Sequence, residues 1–301
     1  MRTAFINELT VQARTHPEIF LVVGDLGFSV IEPFAREFPG RFLNAGVAEQ
    51  NMTGVAAGLA SEGYHVFTYS IANFPTLRCL EQIRNDVCYH RLPVTVVAVG
   101  GGLAYGNLGY SHHAVQDLAI MRTLPNITVL APGDPGETKE CVSWLADHPG
   151  PSYLRIGKAG EKKLHDVKGI ANGPLLVRGT YSDRVALVST GGILDETLVA
   201  ADILARGGKS VAVYSLPWLK PLSEAHLGVL KNHECIVAVE EHVVEGGLAA
   251  ALRENLPQSL PVHSISVGDA ASALVGSQTF LRNAAGVSSS HIATTCLALL
   301  S

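Results

Sequence analysis

RFLNAGVAEQNMTGVAAGLASEGYHVF, residues 41–67, places one acid, Glu49, at the mouth of a run of small and apolar residues. Met52, Val55, Ala56 and Leu59 recur at i, i+3, i+4 and i+7, which predicts a helix over 48–61 with those side chains on one buried face. A strand is expected next, over 66–69. A glutamate leading into a helix can serve the helix alone, because its charge favours the N-terminus. A functional reading of Glu49 therefore needs support from the rest of the chain.

The same alternation runs outward in both directions. Helices are expected over 3–15, 74–90, 114–121 and 135–147, with strands over 20–23, 94–99, 128–130 and 152–155. Polar, glycine-containing sequence interrupts the pattern over 157–179, and a second set begins at RVALVSTGG. It reads as strands over 185–189, 210–214, 235–239 and 261–265, helices over 195–206 and 246–255, and a terminal helix from Ser288. Alternation of this kind marks an α/β protein with mostly parallel sheets. A chain of 301 residues accommodates two domains, expected at 1–165 and 181–301 with a linker over 166–180.

Composition removes several classes. The net charge is -5 with no basic block, which leaves no footprint for nucleic acid. No uncharged apolar run of roughly 18 residues is present, so no membrane span is expected. The opening MRTAFINELTVQARTHPEIF lacks the apolar core and small-residue cleavage site of a signal peptide, and a cytoplasmic location is expected. Cys79, Cys88, Cys141, Cys235 and Cys296 are odd in number and scattered, which reads as buried thiols and not as a disulfide framework or zinc site. The charge run GKAGEKKLHD over 157–166 reads as a solvated loop, with an anion site as the alternative.

Taken in order, GDLG from Gly24, RFLNAGVAEQNMTGVAAGLA from Arg41, LEQIRNDVCYHRLPV from Leu80, GLAYGNLGYSHHAVQDLAIMRTLPNITVLAPGD from Gly102, YLRIGKAG from Tyr153 and VEEHVVEGGLAAAL from Val239 resemble the pyrimidine-binding and C-terminal domains of transketolases. The resemblance covers almost the whole chain. It implies thiamin diphosphate as cofactor and transfer of a two-carbon ketol unit from a ketose to an aldose.

The resemblance also implies roles. In this family the glutamate matching Glu49 hydrogen-bonds a ring nitrogen of the thiamin pyrimidine and favours the tautomer that activates the cofactor, which a carboxylate can do by sharing a proton in a dry site. Phe74 falls where an aromatic surrounds the pyrimidine, with an ordinary core phenylalanine as the alternative. Ile71 stands where relatives often carry a second aromatic. Arg78 stands where some relatives contact the cofactor, or else makes a surface ion pair. Asp25, in VVGDLG, matches an acid near the cofactor at the subunit contact, or serves as a turn aspartate.

GLAYGNLGYSHHAVQDLA departs furthest from the family's GxxxGxDGPTHQxxxDxA. His112 matches the histidine beside the substrate, whereas His113 replaces the glutamine. Leu108 replaces an aspartate that reads substrate hydroxyls, Tyr110 replaces the proline, and Gly100 stands where a further substrate-contacting histidine is common. Lost polar contacts beside a retained Glu49 point to thiamin chemistry on a modified, deoxy or branched sugar. Arg155 aligns with the arginine that grips a sugar phosphate, with an interdomain ion pair as the alternative. Glu240, Glu241 and His242 read as structural.

Thiamin enzymes hold the diphosphate through Mg2+ on a GDG motif followed by an asparagine. PGDPG from Pro132 lacks the asparagine at the right spacing, and VGDAAS from Val267 lies in the wrong domain. The resemblance therefore implies half of a split enzyme: an N-terminal diphosphate-binding subunit holds Mg2+, and a heterotetramer forms through pyrimidine-domain helices carrying Gly54, Ala56, Ala57 and Gly58. The beta subunit of a 2-oxo acid decarboxylating enzyme and a non-catalytic homologue are the competing readings.

Overall fold

The computed structural model describes residues 1–167 and 169–300. Among the described residues the strands are β1 (Ile19–Val23), β2 (Phe42–Asn44), β3 (His65–Ile71), β4 (Val94–Val99), β5 (Thr128–Leu130), β6 (Ser152–Ile156), β7 (Leu175–Arg178), β8 (Val185–Thr190), β9 (Ala212–Ser215), β10 (Trp218–Lys220), β11 (Cys235–Glu240) and β12 (Val262–Ile265). The helices are α1 (Arg2–Thr15), α2 (Glu32–Glu37), α3 (Glu49–Ser61), the single turn α4 (Leu80–Gln82), α5 (Asp117–Thr123), α6 (Pro135–Asp147), α7 (Leu194–Arg206), α8 (Leu248–Asn255), α9 (Gln278–Ala284) and α10 (Ser289–Leu300). One sheet has the order β10-β5-β6-β4-β3-β1-β2 and the other β12-β11-β8-β9-β7. All pairings are parallel except β10 with β5 and β7 with β9.

β1, β4, β6 and β8 are buried along their whole length. Their near-continuous apolar runs are what a parallel strand covered on both faces requires. Phe5 and Leu9 of α1 and Cys141 and Leu145 of α6 join the core on one face of the first sheet, with Leu21, Val97 and Leu154. Met52 and Ala56 of α3, with Ile83 and Val87, join it on the other, with Val22, Val66 and Val96. Asp134 starts α6 by accepting from the Glu137 backbone at 2.8 Å, ahead of Pro135 at the first helical position.

Several expectations shift. The residues expected to form a helix over 74–90 begin instead as an irregular turn, because Pro75 has no N–H and Asn73 turns its amide to the carbonyls of Ser111 and His113. A 3-10 turn (Leu77–Cys79), α4 and a π-helix (Ile83–Tyr89) follow. Ala114 exchanges both backbone hydrogen bonds with Gly102, so it is extended and α5 starts only at Asp117. On α3 the buried face is Met52, Thr53, Ala56, Ala57 and Ala60, with Val55 and Leu59 only half-buried, because the helix packs against β3 and the 77–89 segment together. Within the expected linker over 166–180 lies β7, an edge strand of the second sheet.

The two halves share structure. β10 comes from the second half yet pairs with β5 of the first sheet, and Lys220 of that strand donates to the Arg122 carbonyl at 2.8 Å. One apolar core contains Met121 and Val129 together with Ala186, Tyr214 and Leu248. Beside it is a polar clamp. Arg282 of α9 is 6% exposed and donates to Glu241 at 2.9 Å, to Asp195 at 3.1 Å and to the Gly192 carbonyl at 2.9 Å. Burial pushes the Glu241 carboxyl up, and the Arg282 guanidinium outweighs that to hold it below the usual carboxylate range.

β11 ends in Glu240, whose carboxylate accepts from the backbone of Leu248 at 2.6 Å and Ala249 at 3.1 Å at the start of α8. Burial pushes this carboxyl up to about 7, against the lowering effect of those donors. The folded chain therefore keeps a proton that the unfolded chain releases near 4.5. The stability contributed here is full below that value and declines as pH rises towards about 7. Glu240→Gln is expected to gain on the parent in urea denaturation between about pH 5 and about pH 8. A difference that does not change with pH would refute that account.

Candidate active site

The C-terminal ends of β1 and β3 bring Gly24 and Ser70 against Glu49, the first residue of α3. A Cβ on Gly24 would lie 3.5 Å from the Ser70 hydroxyl and 3.7 Å from Glu49 Cγ. The Glu49 side chain is fully buried. Ser70 Oγ donates to its Oε1 at 3.3 Å and Arg78 Nη1 to its Oε2 at 2.7 Å. A buried carboxylate is costly unless paired, and here the pairing joins the favourable field of the helix N-terminus. The position, at the carboxyl ends of parallel strands, is where open α/β sheets form ligand crevices.

Arg78 is itself half exposed, and its Cζ lies 4.9 Å from the centroid of the Phe74 ring. Phe74 in turn meets the His112 ring edge-on at 5.2 Å. The two hydrogen bonds from the Asn73 amide, at 3.0 and 2.9 Å, tie this turn to the loop that carries His112. His112 is half-buried, with Nδ1 3.0 Å from Ser111 Oγ, and burial followed by the neighbouring His113 lowers its pKa. It is therefore a neutral imidazole at pH 7, able to donate and accept. Ile71, with Arg2, Leu26, Gly27, Tyr69, Ser70, Val99 and Tyr105, lines a small cavity beside Ser70.

The other expected residues fall in different places. Asp25, at φ 55°, lies on the lip after Gly24, where its backbone donates to Asn44 Oδ1 at 3.0 Å and its carboxylate accepts from Asn44 Nδ2 at 2.9 Å. Leu108 is 51% exposed on a 3-10 turn. His113, expected among the substrate contacts, is turned inward and 1% exposed, with Nε2 3.5 Å from the Gly106 carbonyl. Arg155, for which the sequence left open a phosphate grip and an interdomain ion pair, makes contacts between the domains. Its Nη2 donates to the carbonyls of Ala114 at 2.6 Å and Glu241 at 2.9 Å, and its Nε faces Asp117 Oδ2 at 3.1 Å as an ion pair without hydrogen-bond alignment. Gly100 has φ +83°, and a Cβ there would sit 2.1 Å from the Tyr105 ring, so a side chain at that position would be strained and would have to displace the ring.

Arg2, Ser70 and Tyr105 also line the cavity of Ile71 and are not singled out in the sequence, although Tyr105 lies within the GLAYGNLGYSHH segment. Arg2 reads as an ordinary polar residue at the start of an amphipathic helix. Tyr105 had one indirect signal, a missing side chain at Gly100 with a bulky residue nearby. Among the described residues no group of three or more His, Cys, Asp or Glu is placed to hold a metal ion, and no helix is long and apolar enough to cross a membrane.

The profile described as "Transketolase, pyrimidine binding domain" matches residues 1–160, and "Transketolase, C-terminal domain" matches residues 176–292. A putative transketolase C-terminal section from Methanocaldococcus jannaschii is 36% identical over 260 residues, covering 84% of this chain and 81% of its own. The chain belongs to the transketolase family. An apulose-4-phosphate transketolase subunit from Phocaeicola vulgatus is 34% identical, covering 89% of this chain and 87% of its own. Among solved structures, a split gene transketolase described as an inactive beta4 tetramer aligns with a TM-score of 0.84 at 32% identity over 97% of this chain and 95% of its own. The Campylobacter jejuni transketolase has the same fold, with a TM-score of 0.80 at 20% identity, and this chain spans 46% of its length.

Membership of the transketolase family implies dependence on thiamin diphosphate. The Glu49 cleft suits that cofactor's pyrimidine, because it joins one dry carboxylate to an aromatic wall and an apolar neighbour, Ile71.

Proposed function

We propose that this chain is the pyrimidine-binding subunit of a two-chain transketolase acting on a sugar that bears an anionic group. The observation that carries the reading is Glu49, a carboxylate sealed from water at the floor of a ligand crevice. Packing alone does not call for an acid at that point.

Thiamin diphosphate, when bound, supplies the nucleophilic carbon that takes up the ketol unit. Glu49 would share a proton with the pyrimidine nitrogen, through a carboxylate whose Oε2 here accepts from the half-exposed Arg78. Phe74 would hold the heterocycle, with Ile71 completing the apolar side and Asp25 shaping the lip. His112, as a neutral imidazole, exchanges hydrogen bonds with substrate hydroxyls. Arg2 faces the cavity beside Ser70 and offers a guanidinium to an anionic substituent. The relatives named for apulose-4-phosphate and for 6-deoxy-6-sulfo-D-fructose act on sugars of that kind, and the exposed Leu108 and bare Gly100 fit such a departure from ordinary substrates.

The diphosphate and its Mg2+ belong on a separate N-terminal subunit, which the sequence supports by lacking the GDG and asparagine motif. In the resulting cytoplasmic heterotetramer, copies of this chain meet through α3. Ala56 and Ala57 are used in the chain's own core, which leaves Gly54 and Gly58, both with open space around them, for close approach.

The test measures thiamin diphosphate binding with Mg2+, first to this chain and then to its mixture with a candidate diphosphate-binding subunit, followed by turnover of a ketose phosphate against pyruvate. Binding in the mixture only, with ketose turnover, is expected. Tight binding by this chain alone would end the two-chain reading. Turnover of pyruvate alone would reassign the chain to 2-oxo acid chemistry.

A further inference from the structure

We propose that Tyr105 determines substrate specificity at this site, its phenol hydrogen-bonding an oxygen of the sugar beside Glu49. The inference rests on the transketolase reading above and adds to it a residue and a mode of recognition.

The ring is fixed from behind. A Cβ at Gly100 would lie 2.1 Å from Tyr105 Cε2 and 2.3 Å from Cδ2, so the phenol occupies the volume that any side chain at that strand end would need. The Gly100 amide donates to the Ile156 carbonyl at 2.8 Å, which anchors this backbone to the end of β6. On its open side Tyr105 shares the cavity with Ser70 and Ile71, and its ring meets His112 edge-on at 6.4 Å. It thus stands between the group that holds Glu49 and the imidazole of the same cleft.

The hydroxyl has a proton to spare. Arg2 lies beside it as a donor, and Arg2 Nε also donates to the Tyr69 hydroxyl at 3.2 Å. Among the described residues no acceptor takes the Tyr105 proton. Burial raises its pKa, with Arg2 opposing, so the phenol stays protonated at neutral pH. A rigid ring with an unspent donor, next to a guanidinium and in a cleft with a neutral histidine, suits the oxygen-rich chain of an anionic sugar. A ring loses little freedom on binding, which gives the contact discrimination at small entropic cost.

Tyr105→Phe keeps the ring against Gly100 and removes only the hydroxyl. In the two-subunit complex, calorimetric affinity for D-fructose 6-phosphate is expected to fall about tenfold. KM should rise by about the same factor, with kcat within about twofold and thiamin diphosphate affinity unchanged. Equal sugar affinity in the two proteins would overturn the proposal. So would a lowered unfolding midpoint with unchanged affinity per folded molecule, since that is the mark of a packing role. A parent complex that binds neither thiamin diphosphate nor the ketose overturns the transketolase reading and this inference with it. Normal cofactor binding with an unaltered sugar response removes this inference alone.

Discussion

Glu49→Ala, assembled with the diphosphate-binding subunit, is expected to lose about 10²- to 10⁴-fold in kcat, the range that a positioned proton-sharing group contributes. Its folding stability should change by no more than about 1 kcal/mol. The two expectations separate because of where the partners lie. The carboxylate is buried, but Arg78 is half exposed and regains water when released. Ser70 loses one long hydrogen bond, at 3.3 Å. Glu49→Gln keeps the shape and should be nearly as inactive, because an amide cannot take or give the proton. Steady-state kinetics at saturating cofactor, with thermal unfolding of the same preparations, check both. Turnover within tenfold of the parent would place the residue among helix-start acids.

Arg282→Met is expected to cost about 3–5 kcal/mol in urea denaturation, the usual loss when one member of a buried ion pair is removed. Glu241 would remain buried with the Gln278 amide, at 3.1 Å, as its hydrogen-bond donor and the charge of Arg155 as its remaining cation. The loss should depend on pH in a particular direction. Arg282 holds the Glu241 carboxyl low, so the stability it contributes is present above the usual carboxylate range and fades as pH falls. In the variant, burial is opposed only by the Gln278 amide and the Arg155 charge, which shifts the balance towards the protonated acid. The gap between parent and variant therefore narrows towards acid pH. Arg282→Met with Glu241→Gln should recover part of the loss, since no unpaired charge remains. A uniform loss of under about 1 kcal/mol would mean that the clamp is replaceable by water.

The strands that decide the fold were legible because burial on both faces demands apolar runs. The run VTVVAV over 94–99 has no other reading at that length, and it is β4. Glu49 was legible for the opposite reason, as an acid where packing calls for none. Segments whose shape depends on distant partners were not legible. The 74–90 stretch has helical composition, yet its first turn follows from Asn73 reaching the carbonyls of Ser111 and His113. The alternation that predicted α3 was right about the helix but not about its face, because a second neighbour, the 77–89 segment, widened the buried surface. His113 stands in sequence where the motif carries a glutamine, and only the backbone at the end of the Tyr110–His112 turn sends its ring into the loop while His112 meets Phe74. For Arg155 the sequence offered both an anionic ligand and an interdomain ion pair, and the contacts within the chain are of the second kind.

β10 has a consequence for descent. The two family profiles describe separate units, 1–160 and 176–292, but the edge strand of the first sheet, residues Trp218–Lys220, is encoded inside the second. A gene rearrangement that cut between the units would leave β5 with an open edge, a template for self-association, and would divide the core shared by Val129 and Tyr214. Shuffling can move this pair as one inheritable block, and lineages in which the two halves part company should be rare unless something else comes to cover that edge.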